Sequence, residues 1–142
     1  MPGRDLLAEP SCWSLEVRES RIDGKGLFAK TRVPARVKIG ELSGEAISQA
    51  EARRRANGKR RIALVELGDG SAIDGRVGGN EFRYINHSCA PNAYMRISYG
   101  KVEFYSLRAL RAREEITCDY GDTHHNGALR CRCGSRNCRG YL

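Results

Sequence analysis

No stretch of this 142-residue chain approaches the ~20 consecutive apolar residues that cross a bilayer. A secretory leader is not expected either. Arg4, Asp5 and Glu9 bracket Leu6-Leu7-Ala8, and that apolar run is too short for a signal-peptide core. The expectation is an intracellular protein, nuclear and chromatin-associated in a eukaryote or cytoplasmic in a bacterium. Internal repeats, low-complexity tracts and linkers are lacking. Disorder is excluded as well, because 40% of the residues are hydrophobic and 30% charged. One domain of this length buries roughly 70% of its unfolded surface and needs no staple merely to fold.

What is present is more informative. Of six cysteines, three crowd into the last dozen residues as Cys131-x-Cys133-x4-Cys138. An even number would suit disulfides in a secreted chain, but this spacing without a leader favours a metal. A closed tetrahedral zinc site needs a fourth thiolate, and Cys89 is the best placed to give it. Cys12 and Cys118 then remain free thiols. The formal net charge of +8 favours acidic partners or nucleic acid, although the same charge also keeps a protein soluble.

Along the chain, residues 1–12 form a loose arm broken by Pro2-Gly3 and Pro10. Trp13 to Val17 alternates as a strand. Ile22 to Ala29 is a glycine-rich turn entering an apolar strand, and Val37 to Leu42 is another strand. Ser48-x-x-Glu51 opens a short helix as a capping box, and Asn57-Gly58 closes it. That helix has only alanines to bury and belongs on the surface. Its tail carries Arg53, Arg54, Arg55, Lys59, Arg60 and Arg61, suited to nucleic acid, an acidic partner or a nuclear address, or simply to a solvated face. Gly68-Asp69-Gly70 joins a hairpin of Ala63–Leu67 and Ser71–Ile73. A second hairpin, Ala93–Tyr99 with Lys101–Leu107, turns at Gly100. Glu115 to Tyr120 is the last strand, followed by a polar loop over 122–127 that contains His124-His125.

The centre of the chain is Arg83-Tyr84-Ile85-Asn86-His87-Ser88-Cys89. It sets an amide, an imidazole, a hydroxyl and a thiol in four consecutive positions ahead of Ala90-Pro91-Asn92. Proline after such a run argues for a bend rather than a helix. An Asn or Ser here also fits an ordinary self-capped loop.

Taken in order, these pieces resemble the SET domain of protein lysine methyltransferases. The resemblance is carried by Gly24-Lys25-Gly26-Leu27-Phe28-Ala29, Gly40-Glu41-Leu42-Ser43-Gly44-Glu45, Gly70-Ser71-Ala72-Ile73-Asp74, Gly79-Asn80, the Arg83–Cys89 run and Glu114-Glu115-Ile116-Thr117-Cys118-Asp119-Tyr120-Gly121. The cysteine tail is similar to the family's post-SET zinc segment. The resemblance implies a mostly β, β-clip-like fold of small curled sheets, with a knot-like core where Asp119-Tyr120-Gly121 packs beside Asn86-His87. It implies a SET domain over 13–122 and a post-SET segment over 123–142. It further implies S-adenosylmethionine as cofactor, with Asp23, Lys25 and Gly26 at its amino-acid end, Asn86 and His87 at the knot, Arg132 over the adenine, and Tyr120 as the catalytic tyrosine. The implied zinc, held by Cys89, Cys131, Cys133 and Cys138, is structural.

The implied reaction is a direct displacement on a sulfonium methyl by a neutral amine. A lysine ammonium titrates near 10.4 in water, so the site must favour the neutral form by desolvation and like charge. Alignment then supplies several kcal/mol, up to roughly 7–11 in favourable cases. Three positions often aromatic in the family are Leu42, Ala63 and Cys118 here. They imply a roomier lysine channel, open to di- or trimethylation, or weaker turnover. Arg113 stands where a glycine usually begins the last strand. No cysteine-rich segment precedes the domain, which implies a minimal form. The competing expectation is a catalytically weak or inactive zinc-stabilised module that binds nucleic acid or an acidic protein. The protein substrate, histone or otherwise, is not decoded by sequence.

Overall fold

The computed structural model describes residues 13–59, 62–121, 127 and 129–142. The expected arm with Cys12, Arg60 and Arg61 of the basic cluster, and residues 122–126 with His124 and His125 lie outside the described residues.

Among the described residues the chain is mostly β, arranged as small sheets. Strand β1 (Leu15–Glu19) pairs antiparallel with β2 (Lys25–Ala29). A three-stranded sheet runs β3 (Lys38–Leu42), β9 (Lys101–Ser106), β8 (Ala93–Ser98). Another runs β4 (Glu45–Ser48), β6 (Ser71–Asp74), β5 (Leu64–Glu66). The fourth pairs only β7 (Asn86–His87) with β10 (Thr117–Cys118). Both expected hairpins form, β5–β6 and β8–β9.

Three expectations are adjusted. The first strand starts at Leu15 rather than Trp13, and ahead of it the Trp13 indole N–H donates to the Lys38 carbonyl at 2.8 Å. Strand β4 has no forerunner in the sequence reading. Its partner β6 lies far along the chain, so its pairing is a tertiary fact. The strand expected over Glu115–Tyr120 shortens to Thr117–Cys118 because the segment changes partner midway. Ala29 N–H bonds Glu114 O and Ile116 N–H bonds Leu27 O, and only beyond that does the chain turn to β7.

Helix α1 (Gln49–Ala56) starts as its capping box requires, with the Glu51 N–H donating to the Ser48 hydroxyl at 3.1 Å. It is a surface helix that buries Ala52 and Ala56. Its arginines are engaged: Arg53 with Glu66 at 3.1 Å, Arg54 with Glu51, and Arg55 with Glu45 at 2.6 Å and Asp74 at 2.9 Å. Arg53 and Arg55 tie the helix to the β4–β6–β5 sheet, while Arg54 pairs within the helix.

The core gathers Leu27, Val33, Ile39, Val102, Leu110 and Ile116, all at most 1% exposed. Phe82, in a short 3₁₀ turn over Glu81–Tyr84, stacks on Phe104 with ring centroids 5.6 Å apart. The tip of its ring abuts Gly40, where an added Cβ would come within 2.3 Å of it. Arg113 has φ 69°, a left-handed conformation that costs a non-glycine residue roughly 1–2 kcal/mol. A glycine at this position would adopt the same conformation without that cost.

Buried Asn92 joins the two halves of the central pairing. Its Oδ1 accepts the Thr117 N–H at 2.8 Å and its Nδ2 donates to the Glu115 carbonyl at 2.7 Å. Asn92→Ala leaves both backbone groups without partners, at about 1–3 kcal/mol each. Urea unfolding is expected to show a loss of about 2–4 kcal/mol, far beyond that of an exposed asparagine such as Asn57.

Candidate functional site

Two backbone segments about thirty residues apart in sequence build the site. Strands β7 and β10 run parallel, with Asn86 opposite Thr117 and His87 opposite Cys118. Parallel neighbours need a long crossover, here supplied by the whole β8–β9 hairpin and the following turn. Ser88 N–H extends the ladder to Cys118 O at 3.0 Å. The expected packing of Asp119-Tyr120-Gly121 beside Asn86-His87 is thus observed.

This pairing aims Tyr120. Its backbone N–H donates to His87 Nδ1 at 3.0 Å, and its hydroxyl donates to the Ile85 carbonyl at 2.6 Å. The residue as a whole remains 44% exposed. The hydroxyl lies in poorly hydrated surroundings, and burial first, then the charges of Cys118, Asp23 and Glu115, push its pKa above the ordinary phenol range. Tyr120 therefore stays protonated and is no base. Cys118 is nearly inaccessible, and burial pushes its thiol up to about 12.

A cleft of about 1330 Å³ opens along these segments. Asp23, Lys25, Asn86, His87, Tyr120 and Arg132 all line it, so six of the seven expected cofactor and catalytic positions meet at one cavity. Gly26 does not line it. It is buried with its Cα toward Glu115. Leu42, Ala63 and Cys118 also line the cleft, where larger aromatics would narrow it.

At one end of the cleft the chain terminus folds back on itself. Arg130 bridges Tyr141, Cys131 N–H bonds Gly140 O at 2.8 Å, and Leu142 N–H bonds Leu129 O at 2.7 Å. This brings the thiols of Cys89, Cys131, Cys133 and Cys138 within 4.8 Å of one another. A tetrahedral zinc with bonds near 2.3 Å needs sulfurs roughly 3.8 Å apart, and Cys89 and Cys131 stand at 3.9 Å. The cluster can hold a metal ion. Burial opposes ionisation of Cys133, yet hydrogen bonds led by Ser135 outweigh it and hold that thiol down at about 5. Around the cluster, Arg139 N–H donates to Cys89 Sγ at 3.3 Å. Since His87 Nδ1 accepts from Tyr120, its ring proton sits on Nε2, 3.3 Å from Cys89 Sγ. Burial, with Arg139 adding and Asp119 opposing, keeps this imidazole below the usual histidine range.

Comparison with known proteins agrees with this geometry. Residues 24–121 match the model of the SET domain. The chain belongs to the SET-domain family. It is 32% identical over 89% of its length to histone-lysine N-methyltransferase trithorax of Drosophila virilis. It is 34% identical over 90% to histone-lysine N-methyltransferase set-2 of Caenorhabditis elegans. It is 35% identical over 87% to the H3 lysine-4 specific histone-lysine N-methyltransferase of Candida albicans. The chain spans only 4%, 9% and 13% of those proteins' own lengths. No described helix is long and apolar enough to cross a membrane.

Several residues that build this SET site were missed by sequence reasoning. Asn92 and Glu115 stand inside motifs whose roles fall to other residues, and Ser20 and Arg139 carry no local signal. Arg139 grips Asp119 with both guanidinium nitrogens at 2.8 Å, tying the cysteine tail to the residue before Tyr120. Nothing in a tail arginine's local sequence names a partner twenty positions earlier.

Arg139 beside Asp119 holds its carboxyl down at about 2, against an ordinary 3.8. A depressed folded pKa gives stability that is present above the unfolded value and lost as pH falls through the folded one. The Asp119→Asn variant should therefore unfold at a lower temperature than the parent at pH 5–7, by an amount set by a half-exposed pair worth under about 1 kcal/mol. That gap should close between pH 4 and pH 2, measured by thermal circular dichroism.

Proposed function

We propose that this SET domain transfers methyl groups from S-adenosylmethionine to the side-chain amine of a protein lysine. The observation carrying the reading is the β7–β10 pairing. It sets Tyr120, its hydroxyl donated to Ile85 O at 2.6 Å, over the cleft that Asp23, Lys25, Asn86, His87 and Arg132 share. The named histone-lysine N-methyltransferases among its relatives support the same activity.

The residues fit the methyl donor. Asp23, Lys25 and Asn86 offer complementary charge and amide groups for an amino-acid moiety, and Arg132 with Leu129 and Leu142 forms a tail wall for a base. When bound, the donor supplies an electrophilic methyl on a sulfonium. The protein's part is to deliver an uncharged amine in line with it. Apolar groups of the cleft, Leu42, Phe82, Phe104 and Met95 among them, desolvate an entering ammonium and lower its pKa. With its proton committed to Ile85 O, the Tyr120 hydroxyl has lone pairs left to accept an amine N–H, which turns the nitrogen lone pair toward the methyl. Tyr120 is held protonated and Asp119 is held as the carboxylate partner of Arg139, so neither removes the amine proton at neutral pH. The entering ammonium gives its proton to solvent, and the resulting neutral amine takes the methyl as the S–C bond breaks to leave a thioether.

The four-sulfur cluster suits zinc in a structural role, because four thiolates leave no open position for chemistry. Held there, the tail closes one end of the cleft and serves as the post-SET segment over 123–142. The pairing of Arg53, Arg54 and Arg55 with acids of their own fold favours a helix-anchoring role over nucleic-acid binding. The target is a protein lysine, and a net charge of +8 gives no electrostatic preference for a basic histone tail over other proteins. The relatives' names are compatible with a nuclear setting.

The test is label transfer from S-adenosylmethionine to a panel of lysine-containing proteins by the zinc-loaded chain. Tyr120→Phe is expected to lower transfer at least about 100-fold while S-adenosylhomocysteine binding by calorimetry is retained. Loss of binding together with activity would instead assign the ring to the core. With Leu42, Ala63 and Cys118 lining the cleft, mass spectrometry of the product should find two or three methyl groups per lysine.

A further inference from the structure

Glu115 does not line the cleft, yet its carboxylate stands directly behind one of the cleft's walls. Its main chain is pinned from both sides, by an antiparallel bridge to Phe28 and by the Asn92 amide on its carbonyl at 2.7 Å. The carboxylate is thereby aimed between two side chains. The Ser20 hydroxyl lies 2.8 and 2.9 Å from its oxygens, and Asn86 Nδ2 donates to Oε2 at 2.9 Å. Room for this comes from Gly26, where an added Cβ would lie 2.4 Å from Oε2.

Asn86 Nδ2 faces two further acceptors, the carbonyls of Asp23 and Lys25, both at 3.1 Å. An amide oxygen turned to that side would meet a carboxylate and two carbonyls, so the carboxamide has one permitted orientation. Its Oδ1, with no donor among the described residues, is left for an N–H donor. Ser20 completes the link, because its oxygen accepts the Ile22 N–H at 2.9 Å while its hydroxyl donates to Glu115. The loop over residues 22–25, which lines the cleft, is thus tied to Asn86 through one carboxylate.

We propose that Glu115, held by Ser20, is a positioning residue. It fixes the rotation of the Asn86 carboxamide so that Oδ1 is presented to the amino group of the methyl donor. This rests on the reading above that Asn86 meets that donor. Without a carboxylate behind it the amide loses its strongest reason to keep its nitrogen turned inward, and a rotated amide offers the ligand's ammonium a donor instead of an acceptor.

The experiment is calorimetric titration of the full, metal-loaded chain with two probes, S-adenosylhomocysteine and its analogue with hydrogen in place of the amino group. Glu115→Gln is expected to weaken S-adenosylhomocysteine binding about tenfold, the scale of one charge-assisted hydrogen bond. Affinity for the desamino analogue should change less than about twofold, with the thermal midpoint preserved. Ser20→Ala removes the anchor but keeps the carboxylate, and should shift the same ratio in the same direction by a smaller factor. It carries the test alone if Glu115→Gln fails to fold. Equal weakening of both probes, or weakening of neither, overturns the positioning role while leaving the cleft's assignment intact. Failure of the unsubstituted protein to bind either probe overturns both.

Discussion

Everything at the site depends on two residues of parallel β-sheet. Strands β7 and β10 share only two residue pairs, too little to hold themselves together, since short isolated pairings are marginal in water. They persist because Asn92 straps Glu115 and Thr117 from behind and because the chain before β10 is already bonded to β2. Buried amide networks are high-stakes in this way, rigid when every member is satisfied and costly when one is lost. Among the described residues, no buried side-chain nitrogen or oxygen lacks a partner.

From that junction two lines of contact run outward. One leads through Tyr120 N–H, His87 and Cys89 to the four-sulfur cluster, with Arg139 spanning the gap to Asp119. The cysteine tail is therefore part of the site's wall, and ordering it also orders the residue next to Tyr120. The other leads through Asn86 and Glu115 to Ser20 and the loop over 22–25. Hydroxyl, imidazole and carboxamide thus have their orientations set by hydrogen bonds to neighbours brought together by the fold.

Much of this was legible in the sequence. The thiol spacing of the tail announced a cysteine cluster able to hold a metal, and Gly68-Asp69-Gly70 and Gly100 announced hairpins, because turn chemistry and ligand spacing are local properties. The run from Arg83 to Cys89 and the end at Asp119-Tyr120-Gly121 carried the family resemblance. Other features were illegible for physical reasons. Strand β4 exists only because β6 pairs with it, and the last strand is short because its chain is shared between β2 and β7. Gly26 reads as a glycine of a ligand loop, and the space it leaves for Glu115 has no signature in the sequence. The arginines of α1 read as a basic patch until Glu45, Glu51, Glu66 and Asp74 are seen beside them.

By itself, then, the sequence determined the family, the mostly β class, the inventory of chemistry-bearing residues and which thiols belong together. Those follow from residue type and spacing along one chain. Only the tertiary structure decided which acceptors the Asn86 amide nitrogen faces, where the Tyr120 hydroxyl sends its proton, and that Asp119 pairs with Arg139. Each of these is an orientation, set by partners about twenty or more residues away, and orientation is a property of contacts that linear order does not encode.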